Sequence, residues 1–491
     1  MSYTTLPIPP GFHHSGTPLQ TGARWRDGSL VRWEDGAMMP VGGWRERHDT
    51  SPGDPVRGSR SWVDNAGDRW LAGGTYQGLY IWDLAGVLHD ITPTGLTSGL
   101  AHSLLNQGYG SGVYGAETYG TPRQDSTTYS DATTWSLDTW GEWLVGVSDA
   151  DGVLYRWTLD TAQRAEAISG APTSCTGLVT TEQRHLMALG AAGNPRLVQW
   201  SDMADLTQWT PTDTTEAGKI QLETQGRIMC GIRAQGSTLI LTDQDAHEMA
   251  YIGKPFVFSR QRVGTSCGVI SRRAAAQAQS GVYWMGKHGF YRFTGGVVEE
   301  IPCPVSDYVY SRLNTSQSSK VYAYSNGRHG EVWWIYPSGS ECDSYVAYSY
   351  MSGHWMIGEM HRTSGVQEGT FRNPVMFDAQ GKPYDHEVDY DYPGNASPPY
   401  AETGLIPMSD QGTATLLEMI PDERTRGQVE TSFVTRFHPN GESYEHGPYQ
   451  SDLPTNPRFT SRYASMIVRA TGMTDWRWGV PNLRVAQRGR R

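Results

Sequence analysis

The sequence predicts an all-β protein: a divergent β-propeller of six to eight blades, preceded by an N-terminal arm or meander and followed by a C-terminal β-sandwich-like domain. Three observations predict it. The composition pairs glycine with aromatics, a strand-and-turn unit recurs along the chain, and helical periodicity is scarce. The 491 residues include 57 Gly, 26 Tyr and 18 Trp against 10 Phe. Aromatics fit pleated, half-buried surfaces and glycine serves turns that need positive φ, so together they imply many short strands joined tightly. Hydrophobic residues are 37% of the chain. Counting the glycines as well brings the share to roughly half, which is the composition of a folded globular chain.

The first element is residues 1–55, an arm and β-meander. Pro7, Pro9 and Pro10 give an extended start. Arg24-Trp25-Arg26-Asp27-Gly28 is echoed by Val31-Arg32-Trp33-Glu34-Asp35-Gly36, and each Asp-Gly reads as a hairpin turn. Such an arm either packs on its own body or reaches a neighbouring subunit.

The second element is the propeller, residues 56–400. One unit is DRWLAGGTYQGLYIWDLAGVLHDITP (68–93), another GEWLVGVSDADGVLYRWTLDTAQRAEAISGAP (141–172), a third RHLMALGAAGNPRLVQWSDMADLTQWTP (184–211). More follow at 237–264, 280–304, 320–360 and 374–392. Each opens on a short apolar strand, turns through Gly or Asp-Gly and resumes with a strand such as Gly78-Leu79-Tyr80-Ile81-Trp82. Three or four strands per unit, at about 30–50 residues, is the pattern of propeller blades. SRRAAAQAQ (271–279) is the best helical candidate, a turn or two long. Residues 106–140, rich in Gly, Tyr, Ser and Thr, read as a long inserted loop.

The third element begins after PGNASPP (393–399), whose prolines mark a boundary. Residues 401–491 regain alternation at 415–420, 428–434, 464–470 and 482–485, and five to seven short strands imply a sandwich.

Several function classes are disfavoured. No stretch approaches the ~18 apolar residues that span a bilayer, and the N-terminus lacks a basic start with an apolar core, so a soluble protein made in a cytoplasm is expected. The five cysteines, Cys175, Cys230, Cys267, Cys303 and Cys342, form no Cys-x-x-Cys pair, so they read as ordinary buried thiols and not as a disulfide framework or zinc site. Net charge is −11 with no basic block, which disfavours tight DNA binding while leaving passing contact open.

Chemistry-bearing patterns fail in turn. Gly110-Ser111-Gly112-Val113-Tyr114-Gly115 has the letters of a dinucleotide fingerprint, but Glu117-Thr118-Tyr119-Gly120-Thr121-Pro122 cannot start the helix that the pyrophosphate needs. The adjacent His13 and His14 point to opposite sides of an extended chain and read as surface or interface groups. Asp385, Glu387, Asp389 and Asp391 would share one face of a strand. That row reads first as an open solvated edge, then as intersubunit ion pairs, and weakly as a cation site. Asp149-Ala150-Asp151-Gly152 reads as a hairpin turn before a calcium loop. There is no Gly-x-Ser-x-Gly elbow, and nothing singles out a glycosidase carboxylate pair. No catalytic residue, cofactor site or metal site is therefore expected, and the chain reads as a non-enzyme.

One resemblance adds to this. GTPLQTGARWRDGSLVRWEDGAMMPVGGW (16–44), GYGSGVYGAETYGTPR (108–123), TTWSLDTWGEWLVG (133–146), Pro421-Asp422-Glu423 and the terminal Arg488-Gly489-Arg490-Arg491 resemble a group of phage tail proteins. Residues 231–259, 263–304 and 321–355 also resemble, in matching order, the tail-hub family called packaged-DNA stabilisation proteins. The resemblance implies a structural virion protein of a short-tailed bacteriophage: a tail hub or nozzle subunit at the head–tail connection. It implies a homo-oligomeric, usually hexameric ring below the portal and adaptor that extends the DNA channel and holds fibres, spikes or a plug or needle. Genomic DNA would pass through during ejection without sequence-specific binding. The aromatic N-terminal meander and separate C-terminal domain depart from that pattern. The alternative is a carbohydrate-binding or sialidase-like propeller, an adhesin, because Trp and Tyr also stack on sugars. It would require arginines or paired carboxylates at the propeller's centre.

Overall fold

Among the described residues, seven four-stranded antiparallel sheets follow one another and close into a ring. The computed structural model describes residues 3–105, 129–395, 397–409 and 412–489. Blade one comprises Ser59–Val63, Arg69–Gly74, Leu79–Trp82 and Leu88–Asp90, and blade two Trp135–Trp140, Trp143–Ser148, Leu154–Trp157 and Glu166–Ala167. Blade three comprises Gly177–Thr180, Leu186–Leu189, Leu197–Trp200 and Gly218–Gln221. Blade four runs Ile228–Ala234, Ser237–Thr242, Asp245–Gly253 and Val257–Thr265. Blade five runs Ala275–Ala278, Gly281–Met285, Phe290–Phe293 and Val298–Ile301. Blade six runs Tyr322–Asn326, Glu331–Pro337, Cys342–Ser349 and Trp355–Glu359. The first strand of each blade packs against the first strand of the next, and the seventh returns to the first, so these strands wall the centre.

Blade seven is completed by the other end of the chain. Its strands Ser364–Val366, Val375–Phe377 and Pro383–His386 take Trp44–Glu46 as their fourth, with His386 opposite Trp44. The ring is thus fastened by main-chain hydrogen bonds between residues about 340 apart in sequence. The propeller does not begin at residue 56, where the loose repeat placed its start, because its closing strand lies upstream.

Aromatic wedges hold the blades together. Trp157 of blade two meets Trp62 and Trp70 of blade one edge-on, at ring-centroid distances of 6.4 and 5.3 Å, and Trp82 meets Phe377 of blade seven at 5.4 Å. Such contacts add to the burial of large rings between otherwise separate sheets. Successive strands of a blade reverse direction. The first-to-second and third-to-fourth turns therefore emerge on one face of the ring, the turn face. The second-to-third turns and the blade linkers emerge on the other, the linker face.

The C-terminal region forms two sheets and borrows strands from the N-terminus. Tyr3–Thr5 joins Asn482–Gln487, Ala414–Ile420 and Phe459–Ser461. Trp25–Ser29 joins Tyr400–Thr403, Tyr463–Ala470, Val429–Arg436 and Tyr444–Gln450. Leu416, Met419, Phe433, Phe459, Met466, Val468 and Trp476 are buried in one cluster with Phe12, Trp25 and Trp33 and with the cores of blades five and six. Residues 3–46 are therefore not a free arm. They fill the seam between sandwich and propeller, with the Phe12 amide donating to the Trp355 carbonyl at 2.9 Å.

Local expectations fare unevenly. Asp35-Gly36 is a hairpin turn between Val31–Glu34 and Ala37–Pro40, with both φ positive at 50° and 81°, as a type I′ turn requires. Asp27-Gly28 is not a turn. It lies inside Trp25–Ser29, where a Cβ on Gly28 would meet Phe12 Cζ at 2.5 Å, so the glycine answers close packing. Residues 271–279 are not helical: Ala275–Ala278 is the inner strand of blade five, tertiary pairing having overridden alanine propensity. Among the described residues, the α-helix is instead Ser306–Arg312, in the linker between blades five and six. The inserted loop ends before residue 140, since Trp135–Trp140 is the inner strand of blade two. Its middle, and with it Gly110 to Gly115, lies outside the described residues.

Candidate functional site

The seven inner strands surround a cavity of about 490 Å³. Its charged lining is Arg60, Asp138, Arg233, Arg272, Arg273 and Glu368, among serine, threonine and backbone groups. Asp138, on the inner strand of blade two, organises the deeper part. Its Oδ1 lies 2.9 Å from Arg60 Nη2 of blade one and 3.0 Å from Arg233 Nη2 of blade four. Its Oδ2 accepts from the Thr180 amide of blade three at 2.9 Å. One buried carboxylate thereby ties four blades at the axis, with charge-assisted bonds that low dielectric strengthens.

The linker-face mouth carries the other two arginines. Arg272 donates from Nε to Asp149 Oδ2 at 3.3 Å, and Asp149 also accepts from the Thr134 amide and hydroxyl at 3.0 and 2.9 Å. Burial nonetheless pushes the Asp149 carboxyl above its usual range. Arg273 donates to the Thr363 carbonyl at 2.9 Å, the Lys320 carbonyl at 3.3 Å and Ser364 Oγ at 3.1 Å. Burial pulls its guanidinium down to about 10. Cys230 also lines the cavity, and burial raises its thiol to about 12, which keeps it protonated and unreactive near neutrality. All five cysteines are free and at least half-buried, as ordinary thiols should be.

The acidic row does not form one face. The strand ends at His386, and Glu387 takes a left-handed φ of 58°, so the period of two is lost. The carboxylates instead find separate arginines within the chain. Asp385 lies 2.6 Å from Arg47, Glu387 2.5 Å from Arg32, and Asp389 2.9 Å from Arg45. Asp391 is exposed, and its carbonyl accepts from the Trp44 amide at 2.9 Å. Among the described residues, no three His, Cys, Asp or Glu side chains gather in a way that could hold a metal ion. The weak cation reading and the open-edge reading of this row both give way to ion pairing inside one molecule.

Asp149 to Gly152 is the second-to-third turn of blade two, with Gly152 at φ 67° and Asp151 accepting from the Tyr155 hydroxyl at 2.7 Å. His14 packs its ring 5.0 Å from Tyr308, and its amide donates to the Pro304 carbonyl at 2.9 Å. The His13 amide donates to the Trp25 carbonyl at 2.7 Å, so both histidines serve the seam with the sandwich. The channel arginines escaped the sequence reading. Arg60, Arg233 and Arg272-Arg273 all lie in or beside inner strands, just upstream of the repeat units. The only signal was the Arg-Arg doublet before an alanine run.

A second feature is the distribution of exposed apolar side chains. Val63, Leu84 and Val87 of blade one, Met203 of blade three, Ile252 and Phe256 of blade four, Val297 of blade five and Met351 of blade six are exposed. Every one sits at a first-to-second or third-to-fourth turn, hence on the turn face. Phe256 and Met351 are 75% and 80% exposed. Among the described residues, the exposed large hydrophobic side chain on the linker face is Leu104.

No family model and no curated protein sequence matches the chain. Solved structures resemble its fold. Virginiamycin B lyase from Staphylococcus aureus is similar at 9% identity and TM-score 0.43, covering 70% of this chain and 98% of that one. The Neurospora crassa Pan2 WD40 domain is similar at 7% identity and TM-score 0.40, covering 73% and 98%. YCF48 bound to a D1 peptide is similar at 10% and 0.41, covering 71% and 98%. Enzymes and non-enzymes stand together in this set, and the likeness is one of fold alone.

Proposed function

We propose that the chain is a structural, non-catalytic subunit of a short-tailed phage tail: a hub or nozzle protein that assembles with copies of itself below the portal and adaptor in the virion. The observation that carries the interaction role is the collection of exposed apolar side chains on one face of the propeller. Single exposed apolar residues are ordinary, but their occurrence together on one face supports a surface that is covered in an assembly. Two features support the reading further. The ring is fastened by the N-terminal strand, and the sandwich shares a continuous core with blades five and six, so both modules form one stiff body. A part that transmits load between neighbours needs such stiffness. The tail itself enters from the sequence resemblance at residues 16–44 and 108–146. Mass measurement and low-magnification imaging of the purified full chain test it. The hub reading expects a closed ring with an opening wide enough for duplex DNA, and a monomer at assembly concentrations overturns it.

The alternative, a carbohydrate-binding or sialidase-like propeller, is favoured by the arginines around the channel, which a carboxylated sugar would use. It stands second because Arg60 and Arg233 already share Asp138. Hydrolysis of sialylated or acidic polysaccharide by the purified chain would place it first.

A further inference from the structure

We propose that the linker-face mouth of the propeller channel binds a small oxyanion, a phosphate or carboxylate group, between Arg272 and Arg273. The site does not depend on the hub reading. Both arginines line the cavity. Among the described residues, Arg273 has no carboxylate partner: its three bonds go to two carbonyls and the Ser364 hydroxyl. Its Nε is buried and without a partner, and so is Nη1 of Arg272, whose carboxylate contact is the single bond to Asp149. Behind them, Arg57 and Lys320 share one carboxylate, Glu341, at 2.6 and 2.7 Å. Among the described residues, cations thus outnumber carboxylates at this mouth.

A guanidinium taken from water without a counter-charge is costly, and neutral acceptors compensate it only partly. An oxyanion supplies what is missing. The planar fork of arginine matches two oxygens of a carboxylate or phosphate. The wall beside them is polar, since Ser59 Oγ and Ser364 Oγ lie 2.8 Å apart there. The other end of the cavity lacks this excess, because Asp138 answers both Arg60 and Arg233 there.

The test is calorimetric titration of the full chain with inorganic phosphate, and separately with acetate, at constant ionic strength in chloride. Saturable binding at one site is expected for at least one of the two anions. Arg273→Met and Arg272→Gln should each weaken it at least tenfold, and Arg60→Gln should change it less than threefold. Should Arg273→Met fail to fold, Arg272→Gln decides. Phosphate binding alone identifies a phosphate-bearing ligand, and acetate binding alone a carboxylate. Absence of saturable binding with both anions, or binding left intact in Arg272→Gln, overturns the proposal.

Discussion

Arg32 Nη2 lies 2.5 Å from Glu387 Oε1, joining the N-terminal hairpin to the exit of blade seven across 355 positions of sequence. The same guanidinium reaches Glu331 Oε2 of blade six at 3.1 Å, and all three side chains are nearly inaccessible. The two carboxylates are unequal. Glu387 also accepts from Asn326 Nδ2 at 3.0 Å and the Gly42 amide at 2.9 Å. Burial opposes its charge, but Arg32, His329 and the Gly42 amide hold it below the usual carboxylate range. Glu331 is raised to about 7, burial outweighing Arg32.

That inequality gives a contrast between two isosteric variants. Glu387→Gln should cost about 3–5 kcal/mol, the figure for breaking a buried pair, because Arg32 loses its main counter-charge. Glu331→Gln should cost far less at neutral pH, since Glu331 is near half-protonated there and a Gln oxygen can still accept from Trp333 Nε1. Urea unfolding at pH 7 measures both. Equal losses would show that the buried pair does not divide this way.

Acid should destabilise the fold between about pH 6.5 and pH 4. Burial holds His329 and His354 down to about 4, and His386 well below its ordinary value. In that window the unfolded chain takes up more protons than the folded one at these sites, so stability falls as pH falls. Glu331 works the other way, its raised value favouring the folded state as pH drops from 7 to 4.5. Asp149 and Glu402 are raised as well and side with Glu331, while His14, His48, His102, His247 and His446 are lowered and side with the three histidines. Histidines outnumber the raised carboxyls, and a net loss of about 1–3 kcal/mol is expected after allowance for partial exposure. Tm measured from pH 7.5 to 4 checks it, and Glu331→Gln should steepen the loss.

Trp44→Ala should open the ring. Trp44 stacks on His386 at 5.1 Å, meets Tyr392 edge-on at 5.3 Å, lies under the Arg362 guanidinium at 4.8 Å and donates Nε1 to the Pro393 carbonyl at 3.0 Å. Truncating so buried an indole costs about 3–5 kcal/mol. Hydrogen exchange should rise first in blade seven, because its fourth strand is the one held from outside. Uniform exchange across all blades would argue against a local fastening.

Phe256→Ser and Met351→Ser should leave stability within about 0.5 kcal/mol, being turn residues with little buried area. Under the hub reading they should reduce assembly, seen as a smaller species by mass measurement. Assembly unchanged in the double variant would remove the turn face from the interface.

EDTA should leave Tm unchanged, because the carboxylates at 385, 387 and 389 have arginine partners. Asp389→Asn should shift stability by no more than about 1 kcal/mol, its partner Arg45 being largely exposed. A fall of several degrees with EDTA would reinstate a cation.

The sequence by itself determined the class of fold and the pace of its blades. Strand-turn units at 68–93, 141–172, 184–211, 237–264, 280–304, 320–360 and 374–392 fall one to each of the seven blades, because outer strands bury an alternating apolar face that local pattern records. Asp35-Gly36 was legible for the same local reason. Tertiary structure alone decided the rest. Most inner strands precede those units and face a polar cavity, so their pattern is weak. The closing strand at 44–46, the four-blade tie at Asp138 and the pairing of Glu387 with Arg32 join residues scores to hundreds of positions apart. The acidic row shows the limit most clearly. A period-two pattern implies one face only while the strand continues, and the left-handed turn at Glu387, set by Arg32 and Gly42, ends it.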